Sequence, residues 1–148
     1  MRVKTLSMSA AIAAVLLLAA VVQAATPQQL FVGDLEGQDD SSVRVKTGAN
    51  DDYRVKVFGA HDFVVDCGAN DGLIERATIK GRIPIGDRGR FHARDDNGDT
   101  VLKVRGEIDG HNAEGKFRFS GKIEDQNGDK QECDSGRMHW EAKAEKAT

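Results

Sequence analysis

The chain predicts an all-β fold: an antiparallel β-sandwich with a C-terminal four-stranded meander, and a small closed β-barrel as the alternative. Three observations lead there. Helix signals are nearly absent after residue 24. Short alternating segments recur instead every ~8–12 residues, parted by Gly, Asn and Asp. In the second half, turn chemistry and alternation agree, placing one set of apolar residues on one face.

Residues 1–24 read as a secretory signal peptide. Arg2 and Lys4 form its basic start, Ala10 to Val22 its apolar stretch, and Val22-Gln23-Ala24 its cleavage site. That stretch is too short to span a bilayer. Residues 25–148 then form a single β domain, exported to the periplasm or the outside, with no integral membrane segment after cleavage. The whole chain has 21 basic and 24 acidic residues; losing Arg2 and Lys4 leaves a net charge of −5. An acidic total argues against nucleic acid as a partner.

Strands are expected near 29–36, 42–48, 52–58, 62–67, 73–80, 89–96, 99–110, 113–125 and 131–143. A loop at Gly59-Ala60-His61 would set Val57 opposite Phe63 and Val55 opposite Val65. Ile83-Pro84-Ile85 reads as a crossover or an edge, since proline cannot donate to a central ladder. Asn97-Gly98 signals a two-residue hairpin turn. His111-Asn112 signals another, because both residues tolerate positive φ.

Those two turns set Phe91 opposite Val104, Val104 opposite Phe119, Ala93 opposite Leu102, Gly106 opposite Phe117 and Ile108 opposite Gly115. A longer loop near Asn127-Gly128 sets Ile123 opposite Cys133. The last strand then needs one inserted residue, and Ser135-Gly136 is the natural bulge. With it, Phe119 faces Met138, Phe117 faces Trp140 and Gly115 faces Ala142, which puts Trp140 in the core.

The chain has two cysteines, Cys67 and Cys133. In an exported protein such a pair is most simply a disulfide. A two-cysteine metal site or a redox pair would require a motif spacing the chain lacks.

Several short motifs run through the chain. It begins with F-x-G-x-x-x-G (Phe31, Gly33, Gly37) and has Ile83-Pro84-Ile85 before Gly89-Arg90-Phe91. A V-x-G-x-x-x-G-x-x-A-x-G run follows at Val104, Gly106, Gly110, Ala113 and Gly115. It closes with C-x-S-G-x-x-x-W-x-A at Cys133, Ser135, Gly136, Trp140 and Ala142. In these motifs the chain resembles a family of small exported bacterial all-β proteins to which no activity is assigned. The resemblance covers nearly all of residues 25–148. It implies an all-β fold and brings no catalytic residue and no ligand.

Asp134-Ser135-Gly136 looks like a serine nucleophile, but no supporting His and Asp motifs accompany it. Asp95 to Asp99 and Asp125 to Asp129 look like calcium loops, yet the twelfth positions are Gly106 and Gly136, where a helix-flanked calcium loop needs glutamate. His61, His92, His111 and His139 show no metal-ligand spacing, and His61 and His111 fall in expected turns. No catalytic residue, metal site or cofactor is therefore assigned.

The outer face of the meander is the feature with chemical content. The expected pairing lines up Arg90, Arg105, Arg118 and His139 across four strands, with His92, Lys103, Ser120 and Arg137 one row over. Like charges directly opposed are destabilising. Gathering them in an acidic protein suggests an anion-binding surface, suited to an anionic envelope polymer or an acidic protein. The bland reading is a solvated face, balanced by Glu107, Glu114, Glu124 and Glu141. The functional expectation is an exported non-enzymatic binding or interaction module. A structural or protective envelope protein without a specific ligand is the alternative, and a small hydrolase stands third.

Overall fold

The computed structural model describes residues 25–145. The expected signal peptide, residues 1–24, lies outside them. Among the described residues there are nine strands. They are β1 (Leu30–Leu35), β2 (Gln38–Thr47), β3 (Arg54–Asp66), β4 (Asp71–Pro84) and β5 (Arg90–Asp96), then β6 (Thr100–Asp109), β7 (Asn112–Glu124), β8 (Lys130–Asp134) and β9 (Met138–Ala144).

All pairings are antiparallel, and the sheet runs β4-β3-β2-β1-β9-β7-β6-β5. β8 pairs with both β7 and β3, so β3, β2, β1, β9, β7 and β8 form a six-stranded barrel. Of the two architectures considered, the closed barrel describes this molecule. Closing a sheet removes the exposed edges that a sandwich leaves at its sides. β4 at one end of the path, and β6 and β5 at the other, extend beyond the ring. Pro84 is the last residue of β4, an edge strand, where a missing N–H costs no ladder bond.

The closure is narrow. β8 meets β3 at the single pair Asp66 and Asp134. The adjoining residues, Cys67 and Cys133, form the disulfide, with 4.1 Å between their Cα atoms. The bond therefore acts as a clasp where the hydrogen-bonded ladder is shortest.

The four-stranded meander forms, with its last strand broken into β8 and β9 at the expected bulge. Gly136 takes φ +66° there, and Ser135 reaches across to β7: the Phe119 N–H donates to its Oγ at 2.8 Å. The pairings, however, lie two residues from expectation throughout. Phe91 pairs with Gly106, Ala93 with Val104, Val104 with Phe117 and Leu102 with Phe119. Gly106 pairs with Gly115, and Ile108 with Ala113. Cys133 pairs with Gly121 and Ile123 with Gln131. Met138 faces Phe117, Trp140 faces Gly115 and Ala142 faces Ala113.

For β5–β6 and β6–β7 the cause is the position of the turns. The Asn97 N–H donates to the Thr100 carbonyl, so the turn residues are Gly98-Asp99, not Asn97-Gly98. Asp109 pairs with Asn112, so the second turn is Gly110-His111, not His111-Asn112. Gly98 (φ +91°) and Gly110 (φ +59°) sit first in their turns, the place a type II′ turn reserves for glycine. Moving a two-residue turn by one position moves every pairing by two. The side-chain period is two, so every inward residue stays inward.

The reading of residues 52–67 as two strands is also corrected. Residues 54–66 are one strand, and its hairpin with β4 turns at 67–70, where the Cys67 N–H donates to the Asn70 carbonyl and Gly68 takes φ +85°. Val57 therefore pairs with Lys80, Phe63 with Ile74 and Val65 with Gly72. Two irregularities had disguised the long strand. Against β2, a bulge at Lys56 turns Val57 outward and Phe58 inward, and Asp62 (φ +56°) reverses the buried face between Ala60 and Phe63.

The core is aromatic at its centre. The Trp140 indole, 1% exposed, lies 5.7 Å from the Phe58 ring and 6.3 Å from the Phe91 ring. Phe117 packs edge-on against Phe63 at 5.1 Å. Gly106 and Gly115 face each other beneath the indole. A Cβ on Gly106 would lie 2.5 Å from Phe91 Cζ and 2.8 Å from Trp140 Cζ2. Gly106→Val should therefore overpack the core and cost about 1–3 kcal/mol. Urea unfolding measures it, and an unchanged midpoint would contradict this packing.

Each motif behind the family resemblance has a structural use here. Phe31, Val104, Ala113, Trp140 and Ala142 are buried. Gly33 lets β1 approach the β9 backbone at Glu141, and Gly37 (φ +76°) turns β1 into β2.

Candidate anion-binding face

The outward side chains of β5, β6, β7 and β9 form cross-strand rows. One is Arg90, Glu107, Glu114 and Glu141. The next is His92, Arg105, Lys116 and His139. The third is Arg94, Lys103 and Arg118. Arg137 is exposed in the bulge between β8 and β9.

The expected line of Arg90, Arg105, Arg118 and His139 is thus spread over three rows, with only Arg105 and His139 in the same one. The same two-residue displacement is responsible. It gives Arg90 a glutamate as neighbour: its Nε lies 3.2 Å from Glu107 Oε2. Arg118 is also engaged, with its Nε 3.0 Å from Asp134 Oδ1 and its Nη2 on Oδ2. That guanidinium holds the Asp134 carboxyl below the usual carboxylate range, and the Gly136 N–H helps. Arg94 is paired likewise with Asp96, at 2.7 Å.

His92, Lys103, Arg105, Lys116, Arg137 and His139 remain on this face with no carboxylate partner among the described residues. Lys116 was absent from the expected set. The Gly110-His111 turn signal would have placed it opposite Arg105, while its pairing with His139 comes from the separate β7–β9 register. A shallow groove of about 1850 Å³ runs over this surface from β5 to β1, and Glu36 and Asp34 stand at its β1 side.

The other constellations resolve into structure. The Ser135 hydroxyl donates to the Gly136 carbonyl while accepting from Phe119, so both of its functions are spent on the bulge. Asp125 Oδ1 accepts from the Asn127 and Asp129 N–H groups, and Oδ2 from Gln131 Nε2. These donors hold its carboxyl below the usual range and tie it to its own loop. Asp96 does the same for the Gly98 N–H. His61 lies within β3, not in a turn, while His111 is in one.

The chain matches no protein-family model, no curated protein and no solved structure.

Proposed function

We propose that the chain is an exported, non-enzymatic binding module that takes an anionic polymer across the outer face of β5, β6, β7 and β9. The observation that carries this is the row His92, Arg105, Lys116 and His139, in which Arg105 and Lys116 are directly paired with no carboxylate partner. Neighbouring strands are ~4.8 Å apart, so the row spans roughly 14 Å, with the Arg105 and Lys116 cations at its centre and an imidazole at either end. Opposed like charges cost stability, and a polyanion lying across the strands would recover that cost. Export is supported by the signal-like residues 1–24, by the Cys67–Cys133 disulfide and by the family resemblance.

The test is Arg105→Ser combined with Lys116→Ser, titrated with an acidic polysaccharide at low salt and near physiological salt. Affinity should fall roughly tenfold or more. Binding by the unaltered protein should weaken with salt, because exposed charges are screened over about 8–10 Å. If affinity stays the same while the fold is retained, the row is a solvated face. If the double variant is instead more stable and binds as before, the structural envelope reading is the better one.

A further inference from the structure

Outside the groove, polar atoms converge on a spot that carries no side chain. Gly59 lies in mid-β3, between its pairing partners Arg44 on β2 and Thr78 on β4. A Cβ on Gly59 would stand 3.3 Å from His61 Nε2 and 3.7 Å from Thr78 Oγ1. The imidazole edge therefore lies over the glycine, with the Thr78 hydroxyl beside it. Two residues along β3, His61 itself is flanked by Ser42 on β2 and Arg76 on β4. Arg44 and Arg76 are exposed, and neither has a carboxylate partner among the described residues.

The charges around His61 agree with this geometry. Burial, then Arg76 on β4 and Arg44 on β2, hold its ring below the ordinary imidazole range. Only the neighbouring Asp62 works the other way. Two guanidiniums thus act on a partly buried imidazole, with the neighbouring Asp62 as the opposing acidic group.

We propose that this surface is a second anion site, in which Arg44, Arg76, His61 Nε2 and Thr78 Oγ1 hold one tetrahedral oxyanion, a sulfate or phosphate group. The donors stand at neighbouring positions on three adjacent strands, which suits a group with oxygens on every side better than a planar carboxylate. A bound dianion stabilises the charged imidazole, so binding and protonation of His61 reinforce each other. The site lies on β2, β3 and β4, away from the β5, β6, β7 and β9 face. It neither requires the polymer reading nor falls with it.

The experiment is a pH titration of the His61 ring signals by NMR. It is run in chloride, acetate and sulfate at one ionic strength, with the His111 ring as reference. Sulfate should raise the His61 midpoint by about 0.3 unit or more, a two-fold preference for the charged ring. Acetate should not, and His111 should not follow. Arg76→Ser and, separately, Thr78→Val should shrink the sulfate effect with the amide spectrum otherwise retained. The Arg105→Ser, Lys116→Ser double variant should keep it whole. Inorganic phosphate, followed through the Gly59 and Thr78 amides, separates the two sources: whichever anion binds more tightly is the group the site is built for. Equal responses to sulfate and acetate, or a sulfate effect untouched by Arg76→Ser, would overturn the proposal.

Discussion

Trp140→Ala should lower the unfolding free energy by about 3–5 kcal/mol, the largest loss expected from any single truncation in this core. The indole is 1% exposed, packed between Phe58 and Phe91, and seated over two facing glycines. Neither Gly106 nor Gly115 has a side chain that could move into the space. Trp140→Phe should cost much less. It keeps most of the ring volume and removes the indole Nε1–H, which is buried without a hydrogen-bond acceptor. A buried orphan donor carries a penalty of about 1–3 kcal/mol, so its removal offsets part of the lost packing. Chemical denaturation of the two variants separates these effects. A loss below about 1 kcal/mol for Trp140→Ala would mean that the indole does not hold the barrel together.

Cys133→Ala should cost about 2–5 kcal/mol. The bond joins residues 66 apart, for which loss of the constraint on the unfolded chain is worth roughly 4 kcal/mol. Position adds a local consequence. The β3–β8 seam has one ladder pair, Asp66 with Asp134, so the barrel loses its clasp there. Hydrogen exchange should show β8 opening ahead of β2, β6 and β7. Thiol titration of the unfolded, non-reduced protein should find no free thiol. Two free thiols, or uniform loosening across every strand, would count against the clasp.

Face assignment in the meander was legible because it depends only on alternation. Phe91, Leu102, Val104, Phe117, Phe119 and Trp140 were read as inward and are buried. Ser135-Gly136 was legible as a bulge because Met138, Trp140 and Ala142 otherwise have the wrong parity. The partners of these residues were not legible from the dipeptides chosen. Asn97-Gly98 is a strong turn signal, but Gly98-Asp99 is an equally good type II′ pair, and the Asn97 side chain accepts from the Asp99 and Thr100 N–H groups instead. Nothing short of the folded turn distinguishes the two.

The candidate site inherits that displacement. A concentration of cations on one sheet face was visible in the alternation of Arg90, His92, Lys103, Arg105 and Arg118. Which of them lie side by side was not. Arg90 and Arg118 found carboxylates, and Lys116 entered the row. The cluster around His61 was hidden for a different reason: Gly59-Ala60-His61 resembles a loop, and only the long β3–β4 pairing makes it the middle of a strand.

The sequence by itself determined the all-β class, the Cys67–Cys133 pairing and the inward set of the meander. Composition and a period of two are local properties, and two cysteines admit one intramolecular pair. Only the tertiary structure decided the register, the closure and the neighbours of each cation. Register follows from which residue of a turn takes positive φ, a choice worth little energy locally. Closure follows from β8 meeting β3 across a long stretch of chain, where the gain comes from burying Phe58, Phe63, Phe117 and Trp140 together and not from any preference written in either segment.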